Sequence, residues 1–393
     1  MKALPRLTAL FMIVALGLCA CSAPAPEETA SSPSPTSQAP RRYALVVKDV
    51  TNPYMQRMFS GFSDACEALG AQAVLSGPDV VSAEEQIQCI RLLVEEGVDA
   101  IAVAANDRDA LSPVLADALE AGIKVVSLDS DVNPEDRMVH IQQASPEVIG
   151  RVLMQAAREM TGGKGNFAIL TTTPSASNQS LWVSWMLREI GENPSEYTDM
   201  TLVETLYGLD LYEPSYEMVS ALLRTNPQLD IVVAPTSVGI LAAADAVRDA
   251  GADTLVTGLG LPSDMADSIR EGICPWMYLW NPIDVGYVAA YAADALERAY
   301  RLVCRMDGWS DQFRYDLWLQ AIRECGLDPD FYACRERALD EVLPWDHLDA
   351  GVTKSFLKRE WEKAQRGETT HDCRKGCVGC GVNRYEEASE CGR

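Results

Sequence analysis

The sequence predicts an α/β protein of two lobes, each a parallel sheet flanked by helices, followed by a mostly helical extension with a cysteine-rich tail. Three observations predict it. From residue 43 onward, short apolar runs alternate with helical patterns at roughly 25–30 residues per unit, the rhythm of parallel strands covered by crossover helices. No nucleotide-binding glycine fingerprint follows the first run, where "KDVTNP" (Lys48–Pro53) stands instead, so a single dinucleotide-binding domain is disfavoured. The alternation then passes through two successive blocks behind an export-type N-terminus.

That N-terminus has three parts: basic Lys2 and Arg6, the apolar run "LTALFMIVALGL" (Leu7–Leu18), which is short for a membrane span, and "CAC". Residues 1–21 therefore read as a signal peptide, and Leu18-Cys19-Ala20-Cys21 resembles a lipoprotein box. Cys21 is the lipidation candidate, with Cys19 the alternative and simple secretion the plainer reading. Residues 22–42, "SAPAPEETASSPSPTSQAPRR", hold no apolar face to bury and read as a disordered tether. Signal, lipidatable cysteine and tether imply work in the periplasm or on the outer face of a membrane, through a lipid anchor. The net charge of −24 disfavours nucleic acid as a partner.

The first lobe is expected over 43–144. "YALVVK" is a buried strand, and "PYMQRMFSGFSDACEALG" a helix stopping at Gly70. "AQAVLSG", "VDAIAVAA" and "IKVVSLD" are strands around two further helices, one opened by a Ser82/Glu85 capping box. "MVHIQQ" is a short strand. The second lobe is expected over 145–281, with strands "NFAILTT", "MTLVETLYG", "LDIVVAP", "TLVTGLG" and "PWMYLWN" between helices. The helix "DVGYVAAYAADALERAYRLV" then returns to the first lobe over 282–300, and 301–393 is an appended segment. Cys66, Cys89 and Cys274 lie in helix or strand patterns and read as free thiols.

In doubly wound sheets ligands sit at the carboxyl ends of strands. The strand ends here are Lys48–Tyr54, Asn106–Asp109, Asp129–Asp131, Thr172–Gln179, Pro235–Ser237, Gly258–Pro262 and Trp280–Asp284. They combine amides, carboxylates, hydroxyls and aromatic rings, a mix that suits a polyhydroxylated ligand with a C–H face to stack. Plainer readings stand beside this one: Asp129 as a loop cap, Lys48 as a surface charge, Trp182 and Trp280 as core.

At these residues the sequence resembles the type I periplasmic sugar-binding proteins of ABC transporters, in the branch of rhamnose- and autoinducer-2-binding proteins. The matching pieces are "YALVVKDVTNPYM", "DAIAVAANDRDAL", "GIKVVSLDSDVNPEDR", "GGKGNFAILT", "SNQSLW", "VAPTSVGILAA", "VTGLGLPSDM" and "WNPIDVGY", in the family's order over about residues 43 to 290. The resemblance implies two lobes joined by three hinge crossings, a monomer that closes on one small sugar and delivers it to a permease, without catalysis or cofactor. It implies ligand contacts from Lys48, from Asn52 and Tyr54, from the carboxylates Asp129 and Asp131, from Asn178 and Gln179, from Pro235 and Ser237, and from Trp280 and Asn281, with Trp182 stacking. Asn178 stands where autoinducer-2 binders carry Asp, which points to a rhamnose-like deoxyhexose. Gly260 stands where ribose binders carry a ligand Asp, which argues against ribose. The alternative is a receptor that presents autoinducer-2 or a sugar to a chemoreceptor or sensor kinase.

A protein of that type should cross the hinge again after the long helix and finish in the second lobe. Instead, residues 296–382 resemble the C-terminal end of a family of cobalamin-binding-domain radical SAM proteins, through "DGWSDQF", "DLWLQAI", "LPWDHLDAGVTKSFLKREWEKA" and "DCRKGCVGCG". The junction falls near Asp294–Cys304. Cys373, Cys377 and Cys380 have the C-x3-C-x2-C spacing of a radical SAM cluster, but no barrel follows to hold the cofactor. A structural zinc or iron–sulfur site completed by His371 or Cys391 is the second reading, and a reducible tail the plain one.

Overall fold

The computed structural model describes residues 39–304, 313–339, 341, 352–371 and 375–381. The first lobe runs β1 (Arg42–Val46), α1 (Pro53–Ala68), β2 (Gln72–Ser76), α2 (Ala83–Glu96), β3 (Ala100–Val103), α3 (Arg108–Glu120), β4 (Lys124–Leu128) and β5 (Val139–Ile141). All its strand pairs are parallel, in the order β2-β1-β3-β4-β5. β1, β3 and β4 are buried on both faces, which is why they read as unbroken apolar runs rather than alternating ones. Side-chain caps start the helices: Asn52 accepts from the Tyr54 N–H, Ser82 from that of Glu85, and Asp107 from those of Asp109 and Ala110.

The second lobe runs α4 (Pro146–Thr161), β6 (Lys164–Thr171), α5 (Ser177–Glu192), β7 (Asp199–Tyr207), α6 (Tyr212–Thr225), β8 (Leu229–Ala234), α7 (Ser237–Ala250), β9 (Leu255–Gly258) and α8 (Pro262–Glu271). Its parallel sheet has the order β7-β6-β8-β9. "PWMYLWN" does not form the expected strand: it makes one isolated bridge, Tyr278 to Leu259, because the chain there is already leaving the sheet for the other lobe.

α9 (Pro282–Arg301) returns to the first lobe and packs on α1 and β4. Two glycines allow this approach. A Cβ at Gly286 would lie 1.9 Å from the Met58 carbonyl oxygen, and one at Gly61 1.9 Å from that of Ile283. Farther along α9, fully buried Asp294 accepts from the Tyr43 hydroxyl at 2.6 Å and pairs with Arg298 and Arg41. The expected junction near Asp294–Cys304 therefore begins inside a helix anchored to β1 and runs past its end at Arg301.

After α9 come α10 (Tyr315–Glu324), α11 (Pro329–Ala333) and α12 (Lys354–Gln365). α10 packs on the end of α9 through Ala299, Cys304, Ala321 and Trp318. Among the described residues the chain thus passes between the lobes twice, through residues 142–145 and 279–281. The third crossing implied by the resemblance has no counterpart among them, because the chain leaving α9 stays against the first lobe.

Candidate functional site

A cavity with about 400 Å³ of empty volume lies between the lobes, at the carboxyl ends of both sheets. Its polar part is built from strand ends. Lys48, just after β1, and Asp129, just after β4, are both buried and pair at 2.9 Å. Lys48 is therefore no surface charge. Asp129 holds φ at 58°, the left-handed region sparsely used by residues with a Cβ. Such an outlier is retained where the surroundings demand it, commonly at binding sites.

The second lobe reaches the same carboxylate through the first turn of α5. Asn178 Nδ2 donates to Asp129 Oδ2 at 3.2 Å, while Asn178 Oδ1 accepts from Lys48 at 3.5 Å and from the Gln179 N–H at 2.8 Å. Two donors on Oδ1 fix the orientation of the amide. Gln179 Oε1 accepts from the Thr171 hydroxyl at 2.7 Å and from the Thr172 N–H at 3.3 Å, which leaves its Nε2 at the cavity wall.

Aromatic residues form the other part. The Tyr54 hydroxyl donates to Asp129 at 3.4 Å and accepts from Trp280 Nε1 at 2.7 Å. Burial, and then the Asp129 charge, hold the Tyr54 phenol well above its ordinary pKa, so it stays a donor. Trp182 meets Trp280 edge-on at 5.7 Å. Trp182 is 2% exposed and its indole N–H has no hydrogen-bond partner, whereas that of Trp280 is used by Tyr54. Met55, Leu259, Leu279 and Pro235 complete this apolar side, and Ser237 lies on the wall as well.

Two expected residues are not on the wall. The Asp131 carboxylate is held by Arg137 at 2.6 and 2.8 Å and by the Ser127 hydroxyl at 2.6 Å, with His140 at 3.2 Å. Burial alone would raise its pKa, but Arg137, Ser127 and His140 together lower it. It braces the loop after β4, and the adjacent Asp129 alone faces the cleft. Asn281 is exposed and caps α9, accepting from the Ile283 N–H at 3.1 Å.

The structure adds Asp210, which sequence reasoning missed. It follows β7 at φ 58°, next to Leu209 at φ 59°. Its carboxylate accepts from Thr236 Oγ1 and, across the cleft, from Asn52 Nδ2 at 3.0 Å. Burial pushes its pKa up, against the Thr236 hydroxyl and the Lys48 charge. The strand-end rule applied to β7 finds this residue, although its loop, Gly208–Leu211, reads as an ordinary turn. Thr236 and Leu259 fall within the expected strand ends Pro235–Ser237 and Gly258–Pro262, whereas Met55 and Leu279 carry no separate sequence signal.

Cys21 and Cys373 lie outside the described residues, as does Cys391. Cys377 is exposed and Cys380 half-buried, both as free thiols, with Thr353 at the start of α12 bonded to the Cys380 carbonyl. Among the described residues no three His, Cys, Asp or Glu side chains are grouped to hold a metal. Cys66 and Cys274 are buried free thiols, and Cys89 is a half-buried one.

Two parallel-sheet lobes that meet over a polar and aromatic cavity define a cleft-type solute-binding protein. The chain belongs to the periplasmic binding protein family, whose domain model matches residues 43–299. Members of this family are extracytoplasmic solute-binding proteins. An ABC transporter solute-binding protein from Clostridium phytofermentas, solved with bound L-rhamnose, is 40% identical, with 67% of this chain and 83% of that one covered and a TM-score of 0.64. The D-ribose/D-allose-binding protein of Pseudomonas aeruginosa is 27% identical over 254 residues, 61% of this chain and 75% of that one. LsrB from Clostridium saccharobutylicum, solved with AI-2, shares the fold at 22% identity and a TM-score of 0.61, covering 65% of this chain and 82% of that one. The family match ends at residue 299, and these comparisons give no support to the second resemblance, over 296–382.

Proposed function

We propose that this protein binds a 6-deoxyhexose of the L-rhamnose type and delivers it to an ABC transporter permease. The carrying observation is the composition of the cavity: one hydrogen-bonded set (Lys48, Asp129, Asn178, Gln179, Asp210) beside one apolar set (Met55, Leu259, Leu279 and the two tryptophans). Ring hydroxyls match the first set, and a methyl group and a C–H face match the second. The identity to the rhamnose-bound relative supports this reading, as does Asn178 in place of an acid. Binding draws the lobes together: Asn52 and Lys48 come from one, Asp210 and Asn178 from the other. No group in the cleft is asked to make or break a bond. Cys21, once lipidated, would hold the protein at the membrane.

Isothermal titration calorimetry on the whole chain with L-rhamnose, L-fucose, D-ribose, D-glucose and autoinducer-2 tests this. L-Rhamnose is expected to bind at least about tenfold more tightly than the others, the usual scale of discrimination by one group in a pocket. Silence towards every sugar overturns the reading, and preference for autoinducer-2 favours the receptor alternative. Palmitate labelling that disappears in Cys21→Ala tests the anchor.

A further inference from the structure

A second cavity, with about 270 Å³ of empty volume counting the solvent at its mouth, adjoins the first and shares Lys48, Gln179 and Asp210 with it. Its own walls come from both lobes, Val81 and Asn106 from the first and Thr173 from the second. Asn106 follows β3 and is 4% exposed. Its Nδ2 donates to the carbonyls of Lys48 at 3.1 Å and Ser82 at 3.3 Å. Both partners are acceptors, so the amide cannot be turned round, and the group left over is Oδ1. Asn106 Oδ1 has no hydrogen-bond partner. A buried acceptor without a donor is uncommon and unfavourable, and the residue that carries this one lines the second cavity.

We propose that the second cavity is a subsite for a second hydroxylated ring, so that the preferred ligand is a rhamnosyl glycoside or disaccharide rather than the free monosaccharide. The inference rests on the reading of the main cavity as the deoxyhexose site. The glycosidic oxygen passes the shared wall of Lys48, Gln179 and Asp210, and a hydroxyl of the second ring donates to Asn106 Oδ1. The second cavity shares a wall with the main one and extends it between the lobes.

The test is calorimetry on the whole chain with L-rhamnose, methyl α-L-rhamnoside and a rhamnosyl-glucose disaccharide. The disaccharide is expected to bind about tenfold more tightly than L-rhamnose, the gain from one further set of satisfied polar contacts. Val81→Phe fills the subsite from a loop and is expected to abolish that gain while leaving L-rhamnose affinity within about twofold. Thr173→Tyr, from the other lobe, repeats the test should Val81→Phe fail to fold. L-Rhamnose binding with no gain for the disaccharide overturns the proposal and leaves a water-filled space. Equal losses for both sugars in the filling variants overturn it too. Absence of binding by all three sugars overturns the deoxyhexose reading, and this one with it.

Discussion

Asn52 and Asp210 join the two lobes: the Asn52 side chain donates to the Asp210 carboxylate at 3.0 Å, while its own oxygen caps α1 on the Tyr54 N–H at 2.9 Å. One amide thus ties the start of the first helix to closure of the cleft. The two uses separate by substitution. Asn52→Asp keeps the cap but sets a negative charge against Asp210, so sugar affinity should fall more than about tenfold while the melting temperature stays nearly constant. Asn52→Ala loses both, and should also cost about 1 kcal/mol in urea denaturation. Equal affinity in all three proteins would show that the bridge does not hold the closed form.

Trp182 lines the cavity, and its buried indole N–H has no hydrogen-bond partner. Trp182→Phe keeps an aromatic side chain and removes this donor, together with part of the ring. L-Rhamnose affinity should fall about five- to tenfold, the value of one hydrogen bond. Calorimetry at matched stability checks it, and unchanged affinity would assign Trp182 to packing alone.

Asp131 braces the loop that carries Asp129, and its pKa is lowered in the fold. Its contribution is therefore present above the ordinary carboxylate value and is lost as pH falls through the folded value. Asp131→Asn should destabilise the protein by about 1–3 kcal/mol at neutral pH, and by less as the solution is taken below about pH 4. Denaturant curves from neutral pH downward test this; a gap that widens on acidification contradicts it.

Gly286 marks the crossing of α9 over α1, where a methyl group would strike the Met58 carbonyl. Gly286→Ala should cost about 1–3 kcal/mol or more. Gly191, in α5, has nothing within 4 Å of its would-be Cβ, so Gly191→Ala should be neutral or stabilising by up to about 1 kcal/mol. Thermal melts of the pair measure the difference. Equal behaviour would mean that the helices are free to separate.

Much of this protein can be read locally. Unbroken apolar runs mark strands covered on both faces, caps such as Asn52 and Ser82 mark helix starts, and strand-end chemistry marks Lys48, Asp129, Asn178 and Gln179. These are properties of residues and their near neighbours, so sequence alone determined the two parallel-sheet lobes and all of the polar half of the cleft that those four residues supply. Tertiary structure decided what depends on partners far along the chain. It turned Asp131 to Arg137 and left Asp129 to the cavity. It brought Asp210 across to Asn52, 158 residues away. It set Met55, Leu259 and Leu279 beside the tryptophans, where an apolar side chain in a cavity wall looks in sequence like any core residue. It also kept the chain after α9 on the first lobe, because Asp294, Gly286 and α10 hold that helix there. A strand end specifies what chemistry is offered, but only the packing of one lobe against the other specifies what that chemistry faces.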